Sequence, residues 1–368
     1  MATIERYLTT HGQVRYSVRY RTPEHTQTRK RGFTTKRDAE LYAATVEISK
    51  ARGEYVSTSA SRVRIGELGL PWLARQQGHM KPSGHRSLDS AWHVHVAPRW
   101  GAVRIGEVRF SDVQAWISDL ATTHRSTIVR TAHSVLARIL DDAVADRMLA
   151  NNPARGVKLP PRSARTNVYL SATQLDALAT ESGHYRSLVL LLGVGGLRWG
   201  EAAALRVSDV DFLRRRVTLH TNAVKVGGDF AVGTLKSGKS RTFTLPEFVI
   251  EALAATTKGK GRDELLWPSA TGGYLGPPSS HDSWLSGAVA RCQKADPTFP
   301  RVTAHALRHT AASLAISAGA NPKVVQRMLG HASAAMTLDV YADLFDSDLD
   351  QVAVTVSKMW PQASSAAT

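Results

Sequence analysis

The chain has 368 residues, with 47 Lys and Arg against 31 Asp and Glu, a formal net charge of +16; only 21% of residues are charged and 43% are hydrophobic. That balance excludes a disordered basic tail and predicts a folded protein of two or three domains that attracts polyanions such as nucleic acid. A lone cysteine, Cys292, excludes a disulfide framework and a Cys-based zinc site, and the longest apolar run, residues 188–197, is about half a membrane span.

Two linker-like stretches, residues 57–62 and 156–165, divide the chain. Residues 1–62, 63–165 and 166–368 carry net charges of +6, +7 and +3. In the first piece, residues 14–21 alternate strictly. Val14, Tyr16, Val18 and Tyr20 fall on one face of a strand, and Arg15, Ser17, Arg19 and Arg21 on the other. A turn over 23–27 leads to a short strand through Arg29, Lys30, Arg31 and Phe33. Thr35 then caps a helix with Asp38 in its first turn, with Ala39, Tyr42, Ala43 and Val46 inward and Gly53 as a stop. A strand face bearing Arg15, Arg19 and Arg21, with Arg29, Lys30 and Arg31 beside it, suits a ribbon that enters a DNA major groove.

The middle piece reads as a helical bundle. Ser111 and Gln114 have the spacing of a capping box. Residues 126–148 repeat apolar side chains at the helical period, through Ile128, Ala132, Val135, Leu136, Ile139, Leu140 and Ala143. Arg130 lies opposite that stripe, on a basic outer surface predicted to meet DNA. Trp72, Trp92, Trp100 and Trp116 are expected in the core or in interdomain packing rather than as base-stacking platforms, and Asp141, Asp142 and Asp146 on a solvated face rather than at a metal.

The last piece opens with a capping box, Ser171 and Gln174, and then an apolar helix that ends in a glycine-rich turn before Arg198, Trp199, Gly200 and Glu201. The glycine spacing matches neither nucleotide-binding loop, so the turn is predicted to project Arg198 into a cleft. Two strand-like segments, 216–220 and 241–245, flank a basic hairpin turn with Lys236 and Lys239. His305, Arg308 and His309 share a helix. The two histidines stand at i, i+4, but Ala306 occupies the place of the glutamate a metalloprotease helix needs, so no metal site is expected. Asn321 and Pro322 start a further helix, Gly330 stops it, His331 follows, and Tyr341 comes ten residues later.

The ordered set Arg198, Lys236, His305-x-x-Arg308, Leu329-Gly-His331 and Tyr341 resembles the tyrosine recombinase (phage integrase) family. The resemblance covers about residue 166 to about 345 and extends to the front. It implies a multidomain α+β protein. Residues 1–58 would form a three-stranded sheet with a helix that binds arm-type DNA. Residues 63–157 would form a helical, SAM-like domain for the core site, and 166–345 a mainly helical catalytic domain with a small antiparallel sheet. Residues 346–368 would form a tail that packs on a neighbouring subunit or is disordered.

The resemblance also implies chemistry. Tyr341 would attack a phosphodiester, release a 5′-hydroxyl and hold a 3′-phosphotyrosine, with no metal, ATP or other cofactor. Arg198 and Arg308 suit the non-bridging oxygens, because a guanidinium fork matches them with paired bonds. Lys236 would protonate the leaving oxygen, although Lys239 in the same loop could reach the site instead. His305 would assist proton transfer at Tyr341, His331 would donate to the phosphate, and Glu201 would orient donors. The expected partners are duplex DNA at core and arm sites and three further copies of the chain, with room for a host DNA-bending protein and an excision factor, in a bacterial cytoplasm near the nucleoid. No membrane partner is expected. Two rivals stand beside this reading: a type IB topoisomerase-like enzyme, against which the arm-like front piece argues, and a non-catalytic DNA-binding protein, which predicts missing catalytic residues.

Overall fold

The computed structural model describes residues 2–23, 25–52, 55–56, 60–162, 167–235, 238–279, 281–345 and 357. The chain forms two compact units, Met1–Ala164 and Arg165–Thr368.

The first unit holds two separate cores. Strands β1 (Thr3–Leu8), β2 (Val14–Arg21) and β3 (Gln27–Phe33) make an antiparallel sheet in that order, followed by helix α1 (Lys36–Ala51). The alternation read in β2 is realised: Val18 and Tyr20 are buried with Ala39 and Val46 of α1. Thr35 caps α1 by accepting the Asp38 amide at 3.1 Å. Gly53, the expected stop, lies outside the described residues. Strand β1 escaped the sequence reading because Ile4, Arg6 and Leu8 share one face, which gives no clean apolar signal.

Register corrects part of the basic patch. Ser17 is opposite Arg31 and Arg19 is opposite Arg29, so these arginines share the face of Arg15 and Arg21. Lys30 is opposite Val18 and therefore turns to the α1 side. Its ammonium lies 4.2 Å from the centre of the Tyr42 ring, a cation–π contact that fastens sheet to helix. Glu5 pairs with Arg19 at 3.0 Å and with Arg29 at 2.8 Å, partly neutralising both.

The second core is helical: α2 (Ile65–Gln77), α3 (Pro82–Ala91), a π-helical turn (Trp92–Val96), α4 (Ala97–Trp100), α5 (Phe110–Thr123) and α6 (Ser126–Ala145). The four tryptophans are buried in it, as expected. The capping box at Ser111 does not form, because α5 already begins at Phe110. Gln114 instead grips the Lys158 backbone, accepting its N–H at 2.9 Å and donating to its carbonyl at 3.2 Å. Arg130, assigned to DNA from the sequence, donates to the Pro160 carbonyl at 2.8 Å. Val157 and Leu159 pack on the same core. The start of the presumed linker is thus docked on the helices, and Arg130 spends a guanidinium bond on holding it. Asp141 is not simply solvated either; it is paired with Arg155.

The second unit contains α7 (Ala172–Glu181), α8 (Arg186–Gly195), α9 (Trp199–Ala203), β4 (Val210–Asp211), β5 (Arg216–Leu219), β6 (Thr221–Val226), β7 (Asp229–Thr234), β8 (Arg241–Thr244), α10 (Glu247–Thr257), α11 (Trp284–Ala295), α12 (Ala304–Ser317), α13 (Pro322–Leu329) and α14 (Ala334–Phe345). Helix α8 is buried along most of its length, and α12 packs beside it in one large core. The Ser171 box forms as read, with bonds of 3.1 and 3.0 Å between Ser171 and Gln174. Strands β4, β5 and β8 form one antiparallel sheet, and β6 and β7 form a hairpin inserted between β5 and β8. The two strands are therefore not joined by a simple hairpin turn; Lys236, after β7 in the chain, lies outside the described residues. Apart from Ser357, so does the tail 346–368. No helix among the described residues is long and apolar enough to cross a membrane.

Candidate active site

Two glycine turns place the site. Helix α8 ends at Gly196 with φ +67°, and α13 ends at Gly330 with φ +66°, left-handed conformations that cost a side-chain-bearing residue energy. The two turns are also close-packed. A methyl group on Gly196 would fall 2.6 Å from Leu329 Cδ2, and one on Gly330 would fall 2.8 Å from Arg241 Nη1. Arg198 emerges two residues after the first turn and His331 one residue after the second. Trp199 anchors the first segment by donating to the Leu275 carbonyl at 3.2 Å.

Arg308, on α12, is only 3% exposed. Its Nη1 donates to the Gly196 carbonyl at 2.5 Å and its Nη2 to the Leu329 carbonyl at 2.8 Å. One guanidinium thus joins the ends of two helices, where carbonyls lack helical partners and the helix dipole favours a cation. Burial, then Arg198 and Arg241, push its pKa down to about 10, with Glu201 and Tyr341 opposing; it remains a cation at neutral pH.

Glu201, 1% exposed, organises the other two guanidiniums. Arg198 Nη1 meets its Oε1 at 3.0 Å and the Arg198 amide meets its Oε2 at 2.8 Å. Arg241, at the start of β8, makes a two-pronged contact with both oxygens at 3.0 and 2.8 Å, and its Nε reaches the Met328 carbonyl at 3.3 Å. Burial pushes the Glu201 pKa up, but the bonds and charges of Arg241 and Arg198 outweigh it and hold the carboxyl below its usual range. Three guanidiniums around one carboxylate leave a surplus of positive charge, suited to an anion.

Tyr341 is 2% exposed and belongs to a small apolar cluster with Ile316, Val325 and Leu329. Helix α14 is broken at this residue, with φ −129° and ψ 15°. Its hydroxyl lies 2.9 Å from His309 Nδ1. Burial pushes its pKa up to about 12; Arg308 lowers it and Tyr169 raises it. His305, which the resemblance implies assists proton transfer at Tyr341, is exposed and packs its ring against His309, centroids 4.7 Å apart. His331 stacks nearly parallel to Tyr341, and its Nδ1 shares a 2.9 Å hydrogen bond with Thr337 Oγ1. Burial first, then neighbouring cations, lower His331 to about 4; burial, His305 and Arg308 lower His309 likewise. Both rings are neutral at pH 7.

The structure therefore brings together Arg198, Glu201, Arg308, His331 and Tyr341, and adds Arg241, His309 and Thr337, which the sequence reading did not assign. His309 carried a signal, since it follows Arg308 directly and lies one helical turn from His305.

The sequence profile of the phage integrase family matches residues 168–348, the whole span that carries this arrangement. The integrase of Mycobacterium phage L5 is 28% identical over 312 residues, 82% of this chain and 81% of the relative. Residues 168–348 belong to the phage integrase family of tyrosine recombinases. Among solved structures, the Tn1549 transposon integrase in complex with a circular intermediate DNA superposes with a TM-score of 0.68 at 20% identity, over 78% of this chain and 99% of that one. A lambda integrase tetramer bound to a Holliday junction gives 0.57 at 15% identity, over 89% of this chain and 96% of that one. These integrase structures share the fold of both the helical front and the catalytic unit.

Proposed function

We propose that this chain is a site-specific DNA recombinase that cuts and rejoins strands through Tyr341. The observation that carries the reading is a buried tyrosine hydroxyl on a neutral imidazole, beside two guanidiniums that share one carboxylate and a third held on two backbone carbonyls. Tyr341 Oη attacks phosphorus, the P–O5′ bond breaks, and the 3′-phosphate stays on the tyrosine. The 5′-oxygen leaves as a hydroxyl, protonated by a lysine of the β7–β8 loop, Lys236 or Lys239. Attack by a 5′-hydroxyl from the second duplex reverses the same steps, so bond energy is kept and neither metal nor ATP is needed.

A phenol with a pKa of about 12 is not ionised at neutral pH, so its proton must leave as the bond to phosphorus forms. His309 is in contact to take it, and a bound phosphodiester would raise the basicity of the histidines around it. Arg198 and Arg308 neutralise the charge that grows on the non-bridging oxygens, fixed in place before reaction. Relatives solved with DNA, one of them as a tetramer on a Holliday junction, support a tetrameric synapse here. The arginine face of the β1–β3 sheet, with Arg15, Arg21 and Arg31, supplies an arm-type grip; the helical core supplies the core-type grip.

Two labelled duplexes bearing the junction sequences of the element, incubated with the protein and host extract in EDTA without ATP, should yield recombinant strands. Relaxation of a supercoiled plasmid with no exchange would favour a topoisomerase, and binding with neither reaction would return the chain to a non-catalytic role.

A further inference from the structure

We propose that Thr337 is a positioning residue that fixes the tautomer of His331, so that the ring presents Nε2–H to the phosphate. The inference rests on the recombinase reading above and adds a residue to its machinery.

Thr337 is fully buried, although it is polar. Its hydroxyl lies 2.9 Å from His331 Nδ1. A hydroxyl can donate or accept, so the pair can settle either way on its own. The surroundings decide the matter. His331 is neutral, lowered to about 4 by burial and by Arg308, Arg198, His309 and Arg241. A neutral imidazole has one N–H. With cations on several sides, the ring serves an anion only if that N–H is aimed at it. If Thr337 donates to Nδ1, the proton must sit on Nε2, and the hydrogen bond also sets the ring plane. The same bond ties the His331 loop to α14, where Thr337 lies one helical turn before Tyr341. The donor to the phosphate and the nucleophile are thereby held by one helix. His331 itself follows the left-handed turn at Gly330, so its backbone is fixed from the other side, and Gln326 Nε2 grips its carbonyl at 3.1 Å.

The test uses the full chain labelled with 15N-histidine, the His331 signals being assigned by their loss in His331→Gln. Long-range proton–nitrogen spectra distinguish the two neutral tautomers without any DNA. The wild type and Thr337→Ser should show His331 as the Nε2–H form, and Thr337→Val should show a mixture. Single-turnover cleavage of a nicked core duplex should fall about tenfold in Thr337→Val, the loss of one hydrogen bond, and recover in Thr337→Ser, with duplex binding unchanged. His331 as the Nδ1–H form in the wild type would overturn the proposal, as would a Thr337→Val protein with unaltered tautomer and rate. Should Thr337→Val fail to fold, the wild-type and Thr337→Ser spectra still decide. Absence of cleavage by the wild type would count against the recombinase reading, while the spectra would still report on the tautomer.

Discussion

Replacing Arg308 by lysine should slow cleavage of a nicked core duplex by roughly a hundredfold or more, the scale of losing a fixed donor to a developing oxyanion. The substitution keeps a positive charge, so a purely electrostatic role would predict little change. The geometry predicts more. Arg308 uses both terminal nitrogens on the carbonyls of Gly196 and Leu329, which lie at the two turns preceding Arg198 and His331. A single ammonium cannot span those carbonyls and a phosphate in one plane. One carbonyl would be left buried and unpaired, at about 1–3 kcal/mol. Burial matters too. It brings the guanidinium down to about 10, and a lysine ammonium, starting from about 10.4, would come closer to neutrality at the same place. Cleavage and melting temperature should fall together while duplex affinity, measured by mobility shift, stays close to wild type. Near-normal cleavage by Arg308→Lys would show that the two carbonyl bonds are dispensable.

Arg241→Gln should cost about 3 kcal/mol of stability and lower cleavage without touching any group assigned to the phosphate. The variant leaves Glu201 buried with Arg198 as its remaining ion-pair partner. Either the carboxyl takes a proton, or it draws Arg198 away from the anion. The pH dependence separates this from a general loosening. In the wild type the Glu201 pKa is held below its ordinary value of 4.5, so its contribution to stability is present above that pH and is lost as pH falls through the lower folded value. In Arg241→Gln the folded pKa rises and that contribution shrinks. The stability gap between the two proteins should therefore be wide at neutral pH and narrow as pH falls through the lowered folded value of Glu201. Adding Glu201→Gln to Arg241→Gln should recover part of the stability, because a neutral amide needs no counter-charge. Equal melting at every pH would show that the pair does not hold the site.

Much of this site can be read from the sequence because its parts announce themselves locally. Arg198, Arg308, His331 and Tyr341 sit at fixed offsets from glycine turns and helix starts, and a turn needing positive φ marks its glycine. Arg241 gave no such signal. Its partner Glu201 lies forty residues earlier, and the β6–β7 hairpin between them makes the pairing a matter of tertiary path. His309 and Thr337 were hidden for a related reason: each shares a helix with an assigned residue, but helical spacing says which side chains share a face, not which atom meets which. The basic patches show the opposite failure. Charge alone nominated Lys30 and Arg130. Period-two alternation already turned Lys30 away from Arg29 and Arg31, whereas the Arg130 bond to Pro160 depends on where a later segment docks. Likewise, Ser111 has the right spacing for a cap, and Gln114 found a better partner in the Lys158 backbone.

The central claim is that Tyr341 carries the DNA, and the most direct test is to find the covalent bond. The protein is incubated with a nicked duplex whose cleaved strand cannot religate, and the adduct is digested and mapped by mass spectrometry. The nucleotide should be found on the peptide containing Tyr341, and Tyr341→Phe should give no adduct while binding the duplex as tightly as the wild type. An adduct on any other residue, or one that survives Tyr341→Phe, would contradict the account.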